Sequence, residues 1–118
     1  MEANNYNLEE RTAKFGEEII KFLKCLEKNI INIPLINQLI RSSTSIGANY
    51  CEANNASSRR DFKNKIFICK KESQETKYWL RIIATANPEI KEKARELWKE
   101  VHELNLIFQK IISSVSKQ

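Results

Sequence analysis

The chain has 118 residues, 42% of them hydrophobic, with 20 Lys and Arg against 15 Asp and Glu and a net charge of +5. That length predicts one domain, residues 1–118, with a single core, and the hydrophobic share excludes a disordered chain. Two glycines and two prolines leave few turns, no apolar run nears the roughly 18 residues of a membrane span, and residues 1–10 lack a signal-peptide pattern, so the expectation is an all-α cytoplasmic protein.

The first predicted helix covers about residues 7–29. Asn7 followed by Glu10 matches a capping box, in which each side chain satisfies a free backbone N–H. Leu8, Phe15, Ile19, Phe22, Leu26 and Ile30 then mark one face, widened by Ile20 and Leu23.

A loop leads to Pro34, which suits a first helical turn because its missing N–H has no partner there. The second helix, about 34–54, has Ile36, Leu39, Ile40, Ser43, Ile46, Gly47 and Tyr50 as its inner side. Gly47 costs about 1 kcal/mol against Ala in a helix interior, so a close helix approach is expected there.

Ser58 with Asp61 is a second capping-box match, opening a helix over about 58–86. Its seam is Phe62, Ile66, Cys69, Ser73, Thr76, Leu80 and Ile83, spaced alternately 4 and 3. Asn87-Pro88-Glu89 reads as a cap, a first-turn proline and a dipole-compensating acid. The last helix, about 88–115, carries the longest seam: Ile90, Ala94, Leu97, Val101, Leu104, Phe108, Ile111 and Val115. Four long helices joined by short loops predict an up-down-up-down antiparallel four-helix bundle.

Three groups of residues could carry function. The first is a polar network between the second and third helices: Arg41, Ser42, Asn49, Glu52, Lys65, Glu72 and Glu75. Antiparallel neighbours here have numbers summing to about 114, so Glu72 or Glu75 should meet Arg41, and Glu52 or Asn49 should meet Lys65, since a half-buried carboxylate needs a cation or donors. With no nucleophile and no histidine nearby, the network reads as structural, with no catalytic residue.

The second group is a basic stripe. Residues 58–86 hold eight cations and three acids, which accounts for the whole excess charge. Arg59, Lys63, Lys70, Lys77 and Arg81 recur at helical spacing, opposite the apolar seam, with Arg60 and Lys71 beside them. Such a stripe either tracks a phosphate backbone without reading sequence or is a solvated face.

The third group is surplus apolar surface: Ile20, Leu23, Trp79, Ile82, Trp98, Leu106 and Ile107. It suits a subunit interface, whereas His102, one turn after Trp98, reads as a packing or surface residue. Cys25, Cys51 and Cys69 form no Cys-x-x-Cys pair and read as small fillers of a reduced core, with no disulfide, metal or cofactor expected.

Three stretches carry a family resemblance: Arg41-Ser-Ser-Thr-Ser-Ile-Gly-Ala-Asn-Tyr-Cys-Glu-Ala53, Arg60-Asp61-Phe62, and Lys71-Glu-Ser-Gln-Glu-Thr-Lys-Tyr-Trp-Leu80. Together they resemble the four-helix-bundle family encoded in intervening sequences of bacterial large-subunit (23S) ribosomal RNA genes, and Tyr6 to Thr12 is similar to that family's opening. Cys51 and Asn54-Asn55 depart from its pattern without touching the fold. The resemblance implies a homopentamer without known catalysis. A more distant similarity, to the basic pentameric accessory subunits of diversity-generating retroelements, concerns fold and charge only.

The expectation is therefore a non-catalytic cytoplasmic bundle that assembles into a homo-oligomeric, pentameric ring and presents its basic face to RNA. The alternative is a protein-interaction subunit that uses the apolar surface and makes no nucleic-acid contact.

Overall fold

The structure, a computed structural model, describes residues 2–117, and of residues 2–6 the backbone alone. The chain runs α1 (Glu2–Lys24), α2 (Asn32–Asn54), α3 (Arg59–Ala86), a 3-10 turn (Pro88–Ile90) and α4 (Lys91–Ser116). These form an antiparallel four-helix bundle of 47 × 22 × 20 Å, with no strand among the described residues. The helix α3 packs extensively on both α2 and α4, while α1 leans on α2 and touches α4 least. Ion pairs help close that weakest seam: Arg11 grips Glu100 at 2.8 Å and Glu103 at 2.7 Å, and these carboxylates raise the guanidinium pKa.

The start and end of α1 depart from the pattern in the sequence. It begins at Glu2, so Asn7 lies inside it and the capping box expected there does not form. It stops at Lys24 rather than near residue 29, because Cys25 and Leu26 donate backwards to Phe22 and Leu23 in tight three-residue turns. That bend sends Leu26 into the core. Ile30, read as part of the α1 face, is left 87% exposed.

Capping is then done from outside the next helix. Asn29 Oδ1 accepts from the backbone N–H groups of Ile31 (3.1 Å) and Asn32 (2.8 Å), and Pro34 sits in the first turn of α2. Ser58 Oγ accepts from Asp61 N at 3.0 Å and caps α3.

Leu8, Phe15, Ile19, Leu39, Ile46, Ile66, Leu80, Ile83, Val101, Leu104 and Phe108 fill the core. In α4 the buried position after Phe108 is Ile112, and Ile111 is half-buried. A straight helix drifts about 20° per heptad against a 3.5-residue repeat, so the inward position slips by one after several turns. Ile40 likewise faces outwards.

Where α2 meets α3 the core turns polar. Ser42, Ser43, Ser73 and Thr76 are fully buried, and Thr76 Oγ1 donates to Ser42 Oγ at 2.9 Å. Their remaining bonds go to carbonyls one turn back on their own helices, so small side chains bring the backbones together and no buried side-chain polar atom is unpaired among the described residues. Gly47 allows a second close approach, towards α1, where an added Cβ would lie 3.0 Å from Thr12 Oγ1.

A buried amide pair ties the α1–α2 connection to the α3–α4 connection. Asn32 Nδ2 donates to Asn87 Oδ1 at 3.0 Å, and Asn87 Nδ2 donates to Asn32 Oδ1 at 2.9 Å. Asn87 was expected to cap the following helix, but its side chain turns inward and makes no cap bond. Of the three cysteines only Cys69 is buried; Cys25 and Cys51 are exposed and are not core fillers.

Candidate nucleic-acid interface

The polar network between α2 and α3 centres on Arg41. Its guanidinium reaches Glu72 at 3.3 Å and also pairs with Glu75, while Nε donates to Gln38 at 3.2 Å. Glu75 accepts a further bond from Trp79 Nε1 at 2.9 Å. Lys65 pairs with Glu52 at 2.7 Å, which raises the lysine pKa. Ser42 belongs to the buried serine–threonine contact instead, and Asn49 donates to Ser45 O on its own helix rather than meeting Lys65. The Cys69 thiol is buried against Ile46 O, and burial pushes its pKa up to about 12.

The cations of α3 divide into two rows. Arg59 and Arg81 are exposed, but Lys63, Lys70 and Lys77 are half-buried. These three do not stand opposite the seam. α3 lies between α2 and α4, its covered arc is therefore wide, and this row falls on the α4 flank. Asn105 of α4 donates to the Lys70 carbonyl at 3.1 Å. Lys77 is held: its Nζ donates to His102 Nδ1 at 3.0 Å and stands 5.1 Å from the centre of the Trp98 ring. Trp98 and His102 are themselves stacked, 5.0 Å apart and 15° from parallel.

The row that does face away from the core is Arg60, Asn64, Phe67, Lys71, Gln74, Tyr78 and Arg81. Charge spacing in the sequence does not pick out this row, because Asn64, Phe67, Gln74 and Tyr78 carry no charge. With Phe67 45% and Tyr78 54% exposed, basic and aromatic side chains alternate along this outer edge. Neutralisation is sparse. Among the described residues, Lys65 is the one cation of α3 in an ion pair, whereas α1 and α4 pair four of theirs, Arg11, Lys21, Lys93 and Arg95. Arg59, Arg60, Lys63, Lys70, Lys71 and Arg81 are left for solvent or a ligand. A helix edge of unpaired cations with flat rings between them offers charge to phosphates and stacking to bases.

The surplus apolar residues also separate. Leu23 is buried, and Trp79, Ile82 and Ile107 are half-buried, whereas Ile20, Trp98 and Leu106 remain exposed. Ile30, Ile31, Ile33 and Ile40 add to the exposed set. Thr12 beside Gly47 and Gly16 beside Thr44 set the α1–α2 register, and the same register puts Ile20 alongside Ile40. No helix is long and apolar enough to cross a membrane among the described residues, and no group of His, Cys, Asp and Glu there could hold a metal ion.

Comparison with known proteins places this geometry. No curated protein matches the chain. Among solved structures, a protein of unknown function from the S23 ribosomal protein family of Bacteroides thetaiotaomicron is similar at 34% identity and a TM-score of 0.81, covering 88% of this chain and 96% of that one. The family described as 23S rRNA-intervening sequence protein matches residues 4–110. With the bundle, the match over nearly the whole chain and the solved relative in agreement, the chain belongs to the 23S rRNA-intervening sequence protein family.

Proposed function

We propose that the protein is a non-catalytic, cytoplasmic RNA-binding subunit that works as a homo-oligomer, a pentameric ring, with the outer edge of α3 as its RNA face. The observation that supports this reading is the outward row of exposed cations Arg60, Lys71 and Arg81, with Arg59 beside it, none of them in an ion pair among the described residues, interleaved with the exposed rings of Phe67 and Tyr78. Contacts of this kind position phosphates and carry no sequence code. A ring would repeat the array around its circumference and raise avidity without new contacts.

Titrating labelled structured RNA at 50 and 200 mM salt tests the face. If about five cations release counterions, affinity falls about 100-fold or more across that range. A triple variant Arg59→Glu, Arg60→Glu, Lys71→Glu should bind weakly at either salt. Wild-type protein that fails to bind at 50 mM would refute the reading.

The exposed isoleucines support a second one. Ile20, Ile33 and Ile40 give α1 and α2 an apolar outer surface suited to a subunit or partner contact. Light scattering at micromolar concentration tests the ring: a monomer there refutes it, and an oligomer reduced to monomers by Ile20→Glu with Ile40→Glu places the interface. A protein partner that co-purifies through high-salt washes, with no RNA bound, would favour an accessory subunit instead.

A further inference from the structure

A groove of about 690 Å³ runs between the C-terminal half of α3 and the first half of α4, within the size range of about 300–1,000 Å³ that ligand pockets occupy. Apart from Thr85, its lining has two kinds of residue. Leu80, Ala84, Pro88, Ala94 and Trp98 are apolar, and the two alanines leave the space open. Arg81, Lys91, Arg95 and Lys99 are cationic, from both walls, and no acid is among the lining residues. Arg95 touches Glu92 at 4.0 Å, and the other three cations have no ion pair among the described residues.

Trp98 decides the chemistry. It is 37% exposed, and its orientation is fixed from within the bundle by the stack on His102 and by Lys77. The groove therefore offers a pre-set aromatic surface inside a ring of positive charge. We propose that it takes an unpaired nucleotide of a bound RNA, with the base on Trp98 and the apolar residues and the flanking phosphates on Arg81, Arg95 and Lys99. This rests on the RNA reading of the α3 edge and extends it, since Arg81 belongs to both surfaces. A base in a duplex keeps its faces stacked and cannot enter, so the groove selects single strands, loops or bulges. An acidic amphipathic helix matches the charge as well, but it does not use a flat ring that is already aligned by a stack.

The test uses Trp79→Phe protein, in which Trp98 is the sole tryptophan reporter. It is titrated at 50 mM salt with a 12-nucleotide adenine-rich RNA and with the same strand in a duplex. Single strands should quench Trp98 emission and the duplex should not. Trp98→Leu should weaken single-strand binding about 10-fold, in line with one lost base stack, and leave duplex binding unchanged. Arg95→Glu with Lys99→Glu, an exposed pair, should abolish the quench even if the tryptophan variant folds poorly. RNA that binds without changing Trp98 emission overturns the groove and leaves the α3 face standing. A glutamate-rich helical peptide that quenches Trp98 while RNA does not would also overturn it. RNA that does not bind at all removes both.

Discussion

The buried Asn32–Asn87 pair should behave as one unit. Asn32 is 1% and Asn87 6% exposed. Each Nδ2 makes two bonds: Asn32 to Glu27 O (2.9 Å) and Asn87 Oδ1 (3.0 Å), Asn87 to Ile83 O (3.0 Å) and Asn32 Oδ1 (2.9 Å). Asn87→Leu removes three of these bonds and leaves one donor and one acceptor of Asn32 without a partner. An unsatisfied buried polar group costs about 1–3 kcal/mol, so this variant should lose about 2–4 kcal/mol, and Asn32→Leu a similar amount. The double variant leaves no orphaned amide and replaces two side chains by apolar ones of comparable size. It should therefore cost less than the sum of the single changes by about 2 kcal/mol. Urea unfolding followed by circular dichroism measures all four proteins, with unchanged slope as the check that compactness is preserved. Strict additivity, or single variants within about 0.5 kcal/mol of wild type, would refute the reasoning and mean that water replaces the lost partner at no cost.

Gly47→Ala gains about 1 kcal/mol of helix propensity but puts a methyl 3.0 Å from Thr12 Oγ1 and 3.3 Å from its Cβ; overpacking costs about 1–3 kcal/mol, so thermal unfolding should show a net loss that Thr12→Ala partly restores. Arg41→Ala strips a mostly buried Glu72 of its cation and should destabilise by about 1–3 kcal/mol, against less than about 1 kcal/mol for the exposed Lys21→Ala. Thiol titration at pH 8 should find Cys25 and Cys51 fast and Cys69 silent until the chain unfolds; three fast thiols would mean that the core opens. Burial raises the pKa of both Cys69 and Tyr50, so the unfolded chain loses these protons first. The stability they contribute is whole below about pH 9 and declines as pH rises towards 12, a slope that Cys69→Ala should flatten in urea midpoints measured from pH 8.5 to 10.5.

What the sequence makes legible is periodic and local. The α3 seam from Ile66 to Ile83 and most of the α4 seam are buried as their spacing requires, because a stripe of that period has only one way to leave water. Ser58 capping Asp61 N is legible for the same reason: the whole interaction fits within four residues. Arg41 beside Glu75 is one step less local, needing only the turn centre and antiparallel counting. Beyond that, the pattern stops deciding. Leu26 is buried although the helix has ended at Lys24, and Ile30 continues the period but faces solvent, since periodicity records a wish for burial and not the path of the chain. Asn87 carries the signature of a cap, and nothing nearby in sequence says that Asn32, 55 positions away, is its partner.

The same limit governs the candidate site. A helical wheel of α3 shows that cations cluster, but which cations face water depends on the arc covered by α2 and α4. Lys63, Lys70 and Lys77 look like the centre of the stripe until α4 covers that flank. The outward row instead includes Phe67 and Tyr78, and the flank holds a groove lined in part by Ala84 and Ala94, whose small side chains leave it unfilled. On the reading proposed above, packing divides a stripe of charge into two surfaces, a basic edge suited to phosphates and a groove beside Trp98 suited to a base. The second surface arises from helix-helix geometry, and on that proposal it would let the face distinguish single-stranded from duplex RNA, which charge alone does not do.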